Sequence, residues 1–269
     1  ELIVSIWVKR LEFGRAQEIW ILGNSSGITS YNDLIHGNFN ADDTLTFSIG
    51  NGGSSGGQIK PTRVFRDIGW YHLLFSFNSN TSIVNNLERL HLYVNGIREG
   101  VLTTNTAVPD NQDVRGSLTG SADFRFGRNT HPSLNYFHKA YMAQACYLEG
   151  KSIQAGDFSV SDFLDVWPFG DNGTQFVPKK TSDIVTLANS AGGNSFCLDF
   201  ADSSTLGNDV SSNNNDFTDA GSPGAANQTT NTPSREYQTF NPLVKSQNSY
   251  TLTNGNTKAN LASGGGFIP

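Results

Sequence analysis

Between Phe65 and Gly96 apolar and polar residues alternate in two separate runs, FRDIGWYHLLFSF and LHLYVNG. In the first run Tyr71, Leu73, Phe75 and Phe77 share one face of an extended chain and Trp70, His72, Leu74 and Ser76 the other, the period of two that marks a strand. In the second, Leu90, Leu92 and Val94 fall on one face. Asn95-Gly96 supplies the positive φ angles of a tight hairpin, so Ile97 and Arg98 are predicted to begin a returning strand. Two alternating runs closed by such a turn point to a β-sandwich.

The same periodicity predicts further strands along the chain. Leu2 to Lys9 carries apolar residues on both faces, as suits the middle of a sandwich. Glu18 to Leu22 ends in the Gly23–Gly27 turn, and Leu45 to Ile49 runs into a loop from Asn51 to Gly57. Phe124 to Phe126 is short, and Lys139 to Leu148 reads as a strand crossing the core. Helical signal is thin: Ser161 to Val166 makes one turn after a Ser cap.

Past Gly170 the pattern weakens. Phe196, Leu198 and Phe200 still alternate, but Gly207 to Gln228 is dominated by Asn, Ser, Asp, Gly and Ala, with few apolar groups to offset the entropy of ordering. From Thr229 to Pro269 Tyr237, Phe240, Leu243, Tyr250 and Leu252 stand isolated among polar residues. The organisation read from this is a β-sandwich over residues 1–170 and a loop-rich extension over 171–228 that lends a strand near 195–201. An extended arm over 229–269 then packs on the sandwich or on another subunit. Glu1 falls in what reads as a strand, which suggests a piece of a longer polypeptide, or one whose preceding residues are not given.

Composition agrees. The chain has 269 residues, 36% hydrophobic, enough for a substantial core, and its 18 Phe and 8 Tyr favour strands while 28 Gly fit many turns. An all-β, two-sheet antiparallel sandwich follows. A formal charge of −6 and the lack of any basic run argue against a nucleic-acid surface. No apolar stretch approaches the roughly 20 residues that span a bilayer, so membrane insertion is not expected.

Cys146 and Cys197 each sit in an apolar, strand-like run, MAQACYL and SFCLDF. Base rates favour two small buried hydrophobes, and a disulfide joining the two strands is the alternative. Two G-x-S-x-G matches, centred on Ser25 and Ser54, lack the following helix of a nucleophile elbow and are read as chance in a Gly- and Ser-rich chain. The sequons at Asn24, Asn80, Asn172 and Asn227 are expected by chance on the same grounds.

The ordered motifs SIWVKR (Ser5–Arg10), RD-x-x-WYH (Arg66–His72), LYVNG (Leu92–Gly96), FRFGRNT (Phe124–Thr130) and FCLDFADSSTLGNDVSSNNNDFT (Phe196–Thr218) resemble the laminin-G, concanavalin-A-like jelly-roll domains. The nearer resemblance is to the subgroup found in tailed-phage structural proteins. It implies a concanavalin-A-like jelly roll with a further domain commonly following the arm. Function is less constrained, because this fold serves many roles.

The resemblance also brings in glucanases, whose retaining chemistry needs two carboxylates about 5 to 5.5 Å apart. No Glu-x-Asp-x-Glu pattern occurs. Glu88, Glu99 and Glu149 are isolated and read as solvated loop charges, so no catalytic residue is assigned and the chain is not expected to be an enzyme. His72 and His91 are predicted on the outer face of neighbouring strands, beside Tyr93. Two imidazoles alone are short of a zinc site.

Calcium is the metal to weigh, since jelly-roll lectins often carry it at their rims and hard cations take loop oxygens. Asp199, Asp202 and Asp209, with Asn213, are the candidate ligands, and Asp42-Asp43 a second place, although Asp and Asn are also default turn residues. For sugar binding the candidates are Tyr31, Asn32, His36, Asn129, His131 and Tyr136, with Asn38 and Phe39, read as loop aromatics and amides that stack on and hydrogen-bond to a glycan.

Two functions follow. The first, carried by the resemblance, is a non-enzymatic virion structural protein, a capsid decoration or tail-fibre component on the particle surface. Its partners would be other virion proteins, copies of itself and host-surface polysaccharide. The alternative is a free carbohydrate-binding lectin or a sugar-binding module of a larger secreted protein.

Overall fold

The computed structural model describes residues 1–24, 34–51, 54–110, 122–127, 138–169, 173–218, 224–234, 250–253 and 258–261. Strands dominate: β1 (Leu2–Arg10), β2 (Gln17–Asn24), β3 (Leu34–Phe39), β4 (Leu45–Asn51), β5 (Ser54–Pro61), β6 (Tyr71–Phe77), β7 (Leu90–Val94), β8 (Ile97–Arg98), β9 (Leu102–Thr106), β10 (Ala122–Phe126), β11 (Ala140–Glu149), β12 (Leu164–Phe169), β13 (Gly173–Pro178), β14 (Phe196–Leu198), β15 (Tyr250–Thr253) and β16 (Lys258–Leu261). The helix α1 spans Thr181–Asn189. Two six-stranded sheets, ordered β14-β11-β1-β6-β7-β8 and β10-β2-β3-β4-β5-β9, are antiparallel at every pairing. This is the two-sheet antiparallel sandwich that the alternation predicts, with the concanavalin-A-like architecture that the resemblance implies.

The core between the sheets is built from the predicted faces. Leu2, Val4, Ile6 and Val8 of β1 meet Tyr71, Leu73, Phe75 and Phe77 of β6, with Trp20 and Phe47 from the opposite sheet. Trp20 lies against Phe75 and Phe47 with ring centroids 5.3 and 6.0 Å away. Gly37 is required where these rings close on β3: a Cβ there would stand 2.6 Å from Trp20 Nε1 and 2.8 Å from Phe75. Asn95 and Gly96 adopt φ of 48° and 78°, the left-handed turn that their sequence demands.

β1 lies between β11 and β6, and its second apolar face is buried too. Residues 151–198 return across the outer face of its sheet. Ile3, Leu74, Cys146 and Leu148 pack there with Phe163 and with Ile184 and Ala188 of α1. Trp7 and Trp70 pack with Leu164, while Tyr141 and Phe176 lean on the same cluster. A bulge in β11 serves both layers: the register slips between Ser5 and Trp7, and Gln144 takes φ 37°. Met142 on one side of the bulge and Ala145 and Tyr147 on the other all reach the inner core, leaving Ala143, Cys146 and Leu148 for the outer layer.

This second layer corrects the outward placement of His72. The ring is fully buried, with Nε2 2.8 Å from Ser5 Oγ. His91 stays beside Tyr93, 3.2 Å from its hydroxyl, and 3.1 Å from Glu88. The predicted turn at Ser161–Val166 is a 3-10 turn at Val160–Asp162, where Asp162 accepts from Ser159 N–H and Oγ–H at 2.7 and 3.0 Å. Leu164 already begins β12. The helix α1 was not anticipated, although Ile184, Leu187 and Ala188 hold the spacing of one helical face.

The reading of two free cysteines is corrected as well. Cys146 and Cys197 oppose each other across β11 and β14 and form a disulfide, since directly paired antiparallel residues bring their Cβ atoms within bridging reach. The strand predicted near 195–201 is confined to Phe196–Leu198. Phe200 turns away at φ 56°, and Gln228 Nε2 donates to the carbonyls of Phe200 and Ala201 at 2.8 and 3.1 Å. Among the described residues no helix is long and apolar enough to cross a membrane.

Candidate binding groove

β10 and β14 are the edge strands on the same side of the two sheets, and between them the sandwich stays open. A groove of about 1550 Å³ occupies this opening. Phe124 and Phe126 of β10, Tyr141 and Met142 of β11, Phe196 of β14, and Phe200 and Phe217 form its apolar lining, with Trp70 at one end. The rings brace one another: Phe124 stacks on Trp20 at 5.6 Å, and Phe217 meets Phe196 edge-on at 4.8 Å. Phe124, Phe126, Tyr141, Met142, Phe200 and Phe217 are only half-buried, so they present faces as well as edges.

Residues 224–234 supply a polar rim of Asn227, Gln228, Thr229, Asn231 and Thr232. Contacts to the rest of the protein pin this segment down: Trp70 Nε1 donates to Asn231 Oδ1 at 2.9 Å, Gln175 Nε2 donates to Pro233 O at 3.0 Å, and Gln228 Nε2 donates to the Phe200 and Ala201 carbonyls. Within it, Asn231 N–H donates to Thr229 Oγ at 3.1 Å. Tyr141 also hydrogen-bonds Thr229, while burial outweighs that bond and raises the phenol's pKa. Aromatic faces flanked by amides and hydroxyls can stack on the C–H faces of a sugar and hydrogen-bond its hydroxyls.

Of the sequence-predicted sugar residues, the described ones, His36, Asn38 and Phe39, do not line this groove. His36, Asn38 and Phe39 belong to β3 rather than to a loop. Phe39 is in the core, and His36 is buried on the opposite face of that strand, its Nδ1 2.9 Å from Glu18 Oε1. Strand pairing to β2 and β4 on both sides is what removes β3 from the surface loops. Tyr31, Asn32, Asn129, His131 and Tyr136 lie outside the described residues. The groove residues themselves were hidden from the sequence because they come from segments far apart in the chain, Trp70 and Asn231 being 161 positions apart.

The candidate calcium ligands are each occupied locally. Asp209, 4% exposed, accepts from Cys197 N, Ser211 N, Ser211 Oγ and Asn215 N at 2.8 to 2.9 Å, which makes it the pin of the 195–216 segment. Asp202 caps a turn through Ser204 and Thr205, whose hydrogen bonds hold its carboxyl at about 2. Asp199 caps Ala201, and Asn213 donates to Ser195 O. Asp43 serves Arg10, Arg66 and Gly14 instead. Asp42 holds Thr44 and Lys60, and the Thr44 and Lys60 bonds hold its carboxyl at about 2. Among the described residues no three His, Cys, Asp or Glu side chains converge as metal ligands do.

The isolated acids are spread apart. Glu149 holds Asn194 at the groove. Glu88 and Glu99 share a smaller cavity of about 240 Å³ with Arg98. Glu99 is not the solvated charge that its position implied, for its side chain is 9% exposed and accepts from Arg63 Nε at 2.5 Å. Glu88 is bound by Arg98, whose hydrogen bond, the largest influence, lowers its pKa. Ser54, the centre of one G-x-S-x-G match, begins β5, a strand that pairs with β4 and β9.

No curated protein matches the chain. Among solved structures, the CBM40 domain of the Ruminococcus gnavus IT-sialidase bound to α2,3-sialyllactose shows 14% identity over 52% of this chain and 73% of that one, with a TM-score of 0.38. A heptameric SAP-like pentraxin from Limulus polyphemus gives 15%, 54%, 62% and 0.37, and the LG4-5 domains of the mouse laminin α1 chain give 10%, 56%, 36% and 0.35. This chain thus spans less than two thirds of the pentraxin and laminin chains. A family model matches residues 2–138, from β1 through β10 and ending before β11, and by that match the chain belongs to the concanavalin A-like lectin/glucanases superfamily.

Proposed function

We propose that this chain is a non-enzymatic carbohydrate-binding module and that the groove between β10 and β14 is its glycan site. The observation that carries this reading is the set of half-buried rings, Phe124, Phe126, Tyr141 and Phe200, facing a rim of amides and hydroxyls from residues 227–232. Catalysis by a carboxylate pair is disfavoured. A general acid needs a raised pKa, whereas the Arg98 bond lowers that of Glu88. Calorimetric titration with a glycan panel tests the reading. Phe200→Ala, outside every strand, is expected to weaken binding about five- to tenfold, in line with a lost stacking contact of about 1 to 1.5 kcal/mol; because the ring also packs against the core, affinity is compared below the variant's own melting transition. Equal affinity of the variant and the parent would remove the groove from the binding site.

A second reading places the module on a tailed-phage particle, as a decoration or tail-fibre component that contacts virion proteins, copies of itself and host-surface polysaccharide. It is supported by the ordered motifs from Ser5 to Thr218 and by Ile97 and Val101, which are 63% and 70% exposed beside the sheet-edge strands β8 and β9, a surface suited to assembly contacts. Mass spectrometry of purified particles should find the chain in many copies. Its absence from every particle would leave the free lectin.

A further inference from the structure

Charged side chains in the groove are strongly biased. Asp123, Glu149, Asp199 and Asp216 line it, and Arg125 is the one cation among the described lining residues. Arg125 Nη2 is already 2.6 Å from Asp123 Oδ2. Asp199 and Asp216 each spend one oxygen on the backbone, Oδ1 accepting from Ala201 N at 3.0 Å and from Asp209 N at 2.9 Å. Their second oxygens have no partner among the described residues.

A separate feature points to a ligand in the groove. Asn231 is 2% exposed, and its Oδ1 faces the Trp70 indole N–H. An indole nitrogen only donates, so the amide cannot be reversed without losing that bond. Its NH₂ group is therefore fixed on the other side, where it is buried without a partner among the described residues. A buried donor left unpaired costs free energy, and a hydroxyl or ring oxygen of a sugar would satisfy it.

We infer that the groove selects glycans that carry no anionic group, that amine-bearing sugars bind more tightly than their N-acetylated counterparts, and that Asn231 donates to a sugar oxygen. The inference rests on the glycan reading above. A carboxylate or sulfate drawn into the groove would face four carboxylates with one already paired guanidinium to offset them. An ammonium would find the open oxygens of Asp199 and Asp216.

The test compares oligomers of matched length of glucosamine, N-acetylglucosamine and galacturonate, titrated into the intact chain at low and high salt. Glucosamine oligomers are expected to bind about tenfold or more tighter than galacturonate oligomers at low salt, the gap closing as salt screens it. Asp199→Asn with Asp216→Asn keeps the Oδ1 acceptors of both turns and should shrink the gap several-fold. Asn231→Ser, with folding checked by its melting transition, should weaken the glucosamine and N-acetylglucosamine series alike. Tightest binding by galacturonate, or a gap unmoved by the double substitution, would overturn the inference and leave the glycan site standing. Silence across all three series would remove both.

Discussion

The indole of Trp70 donates its only hydrogen bond to the side chain of Asn231, 161 residues further along the chain, at 2.9 Å. Both partners are buried, so the bond fixes the rim of the groove to the sandwich at a site shielded from water. Trp70→Phe keeps an aromatic ring but leaves Asn231 Oδ1 without a donor. It should cost about 1 to 3 kcal/mol in urea unfolding, the penalty of an unpaired buried polar group. Because Asn231→Leu orphans the indole in turn, the double variant should cost less than the two single penalties added. Strict additivity would mean that the pair does not couple.

The bridge between Cys146 and Cys197 closes a loop across 51 positions that includes β12, β13 and α1. Removing it frees that loop in the unfolded chain and should lower stability by about 4 kcal/mol on the loop-entropy account. The comparison is Cys146→Ala with Cys197→Ala against the oxidised parent in urea. Alkylation of the unfolded, unreduced parent should label neither cysteine. Two labels per chain would show that the thiols are free.

Asp43 joins three donors: Arg10 Nη2 at 3.0 Å, Arg66 Nε at 2.8 Å and Gly14 N at 2.7 Å. Burial pushes its carboxyl up, but the Arg66 and Gly14 bonds and the Arg10 charge together hold it below the usual carboxylate range. The Arg10 guanidinium is itself buried, 4.2 Å above the Phe39 ring. Asp43→Ala would strand this cation, a loss of about 3 to 5 kcal/mol. Asp43→Asn keeps an acceptor and suits the left-handed φ of 63° at this position, so it should cost less. A smaller loss for Ala than for Asn would contradict the ion-pair role.

Strands whose two faces differ in polarity were legible: β6, β7 and the turn at Asn95-Gly96 follow directly from alternation. So was the central position of β1, because a strand apolar on both faces needs cover on both. What provides that cover was not legible. Residues up to 170 read as sandwich with one helical turn and 171–228 as a loop-rich extension, whereas Phe163, Leu164, Ile184 and Ala188 pack across Ile3, Trp7 and Leu74 in the layer beside the buried His72. LIHGNF looked like a loop because it contains Gly and Asn, yet Gly37 is there to admit Trp20 and Phe75. The groove could not be read at all. Phe126, Tyr141, Phe200 and Asn231 share no period or motif and meet only through sheet order and a turn at Phe200.

Two histidines should give the protein an acid-sensitive branch. His138 stacks on Phe39 with centroids 6.0 Å apart and planes 6° off parallel, and neither ring nitrogen has a hydrogen-bond partner among the described residues. Burial, then the nearby Arg10 charge, pushes its pKa down to about 3, and burial does the same to His72. Unfolded, either ring titrates near about 6.5. A depressed folded pKa means that stability is fully present above the unfolded value and lost as pH falls from there toward the folded one. Across that window each neutral ring should cost about 1.4 kcal/mol per pH unit. His138→Phe preserves the stack on Phe39 and removes one of the protons taken up on unfolding. Urea titrations at pH 7.5, 5.5 and 4.5 should therefore show the variant losing stability less steeply than the parent, by about 1.4 kcal/mol per pH unit below the unfolded value. Equal slopes would mean that His138 is protonated in the folded protein, and the stacked ring would then have to be reached by water.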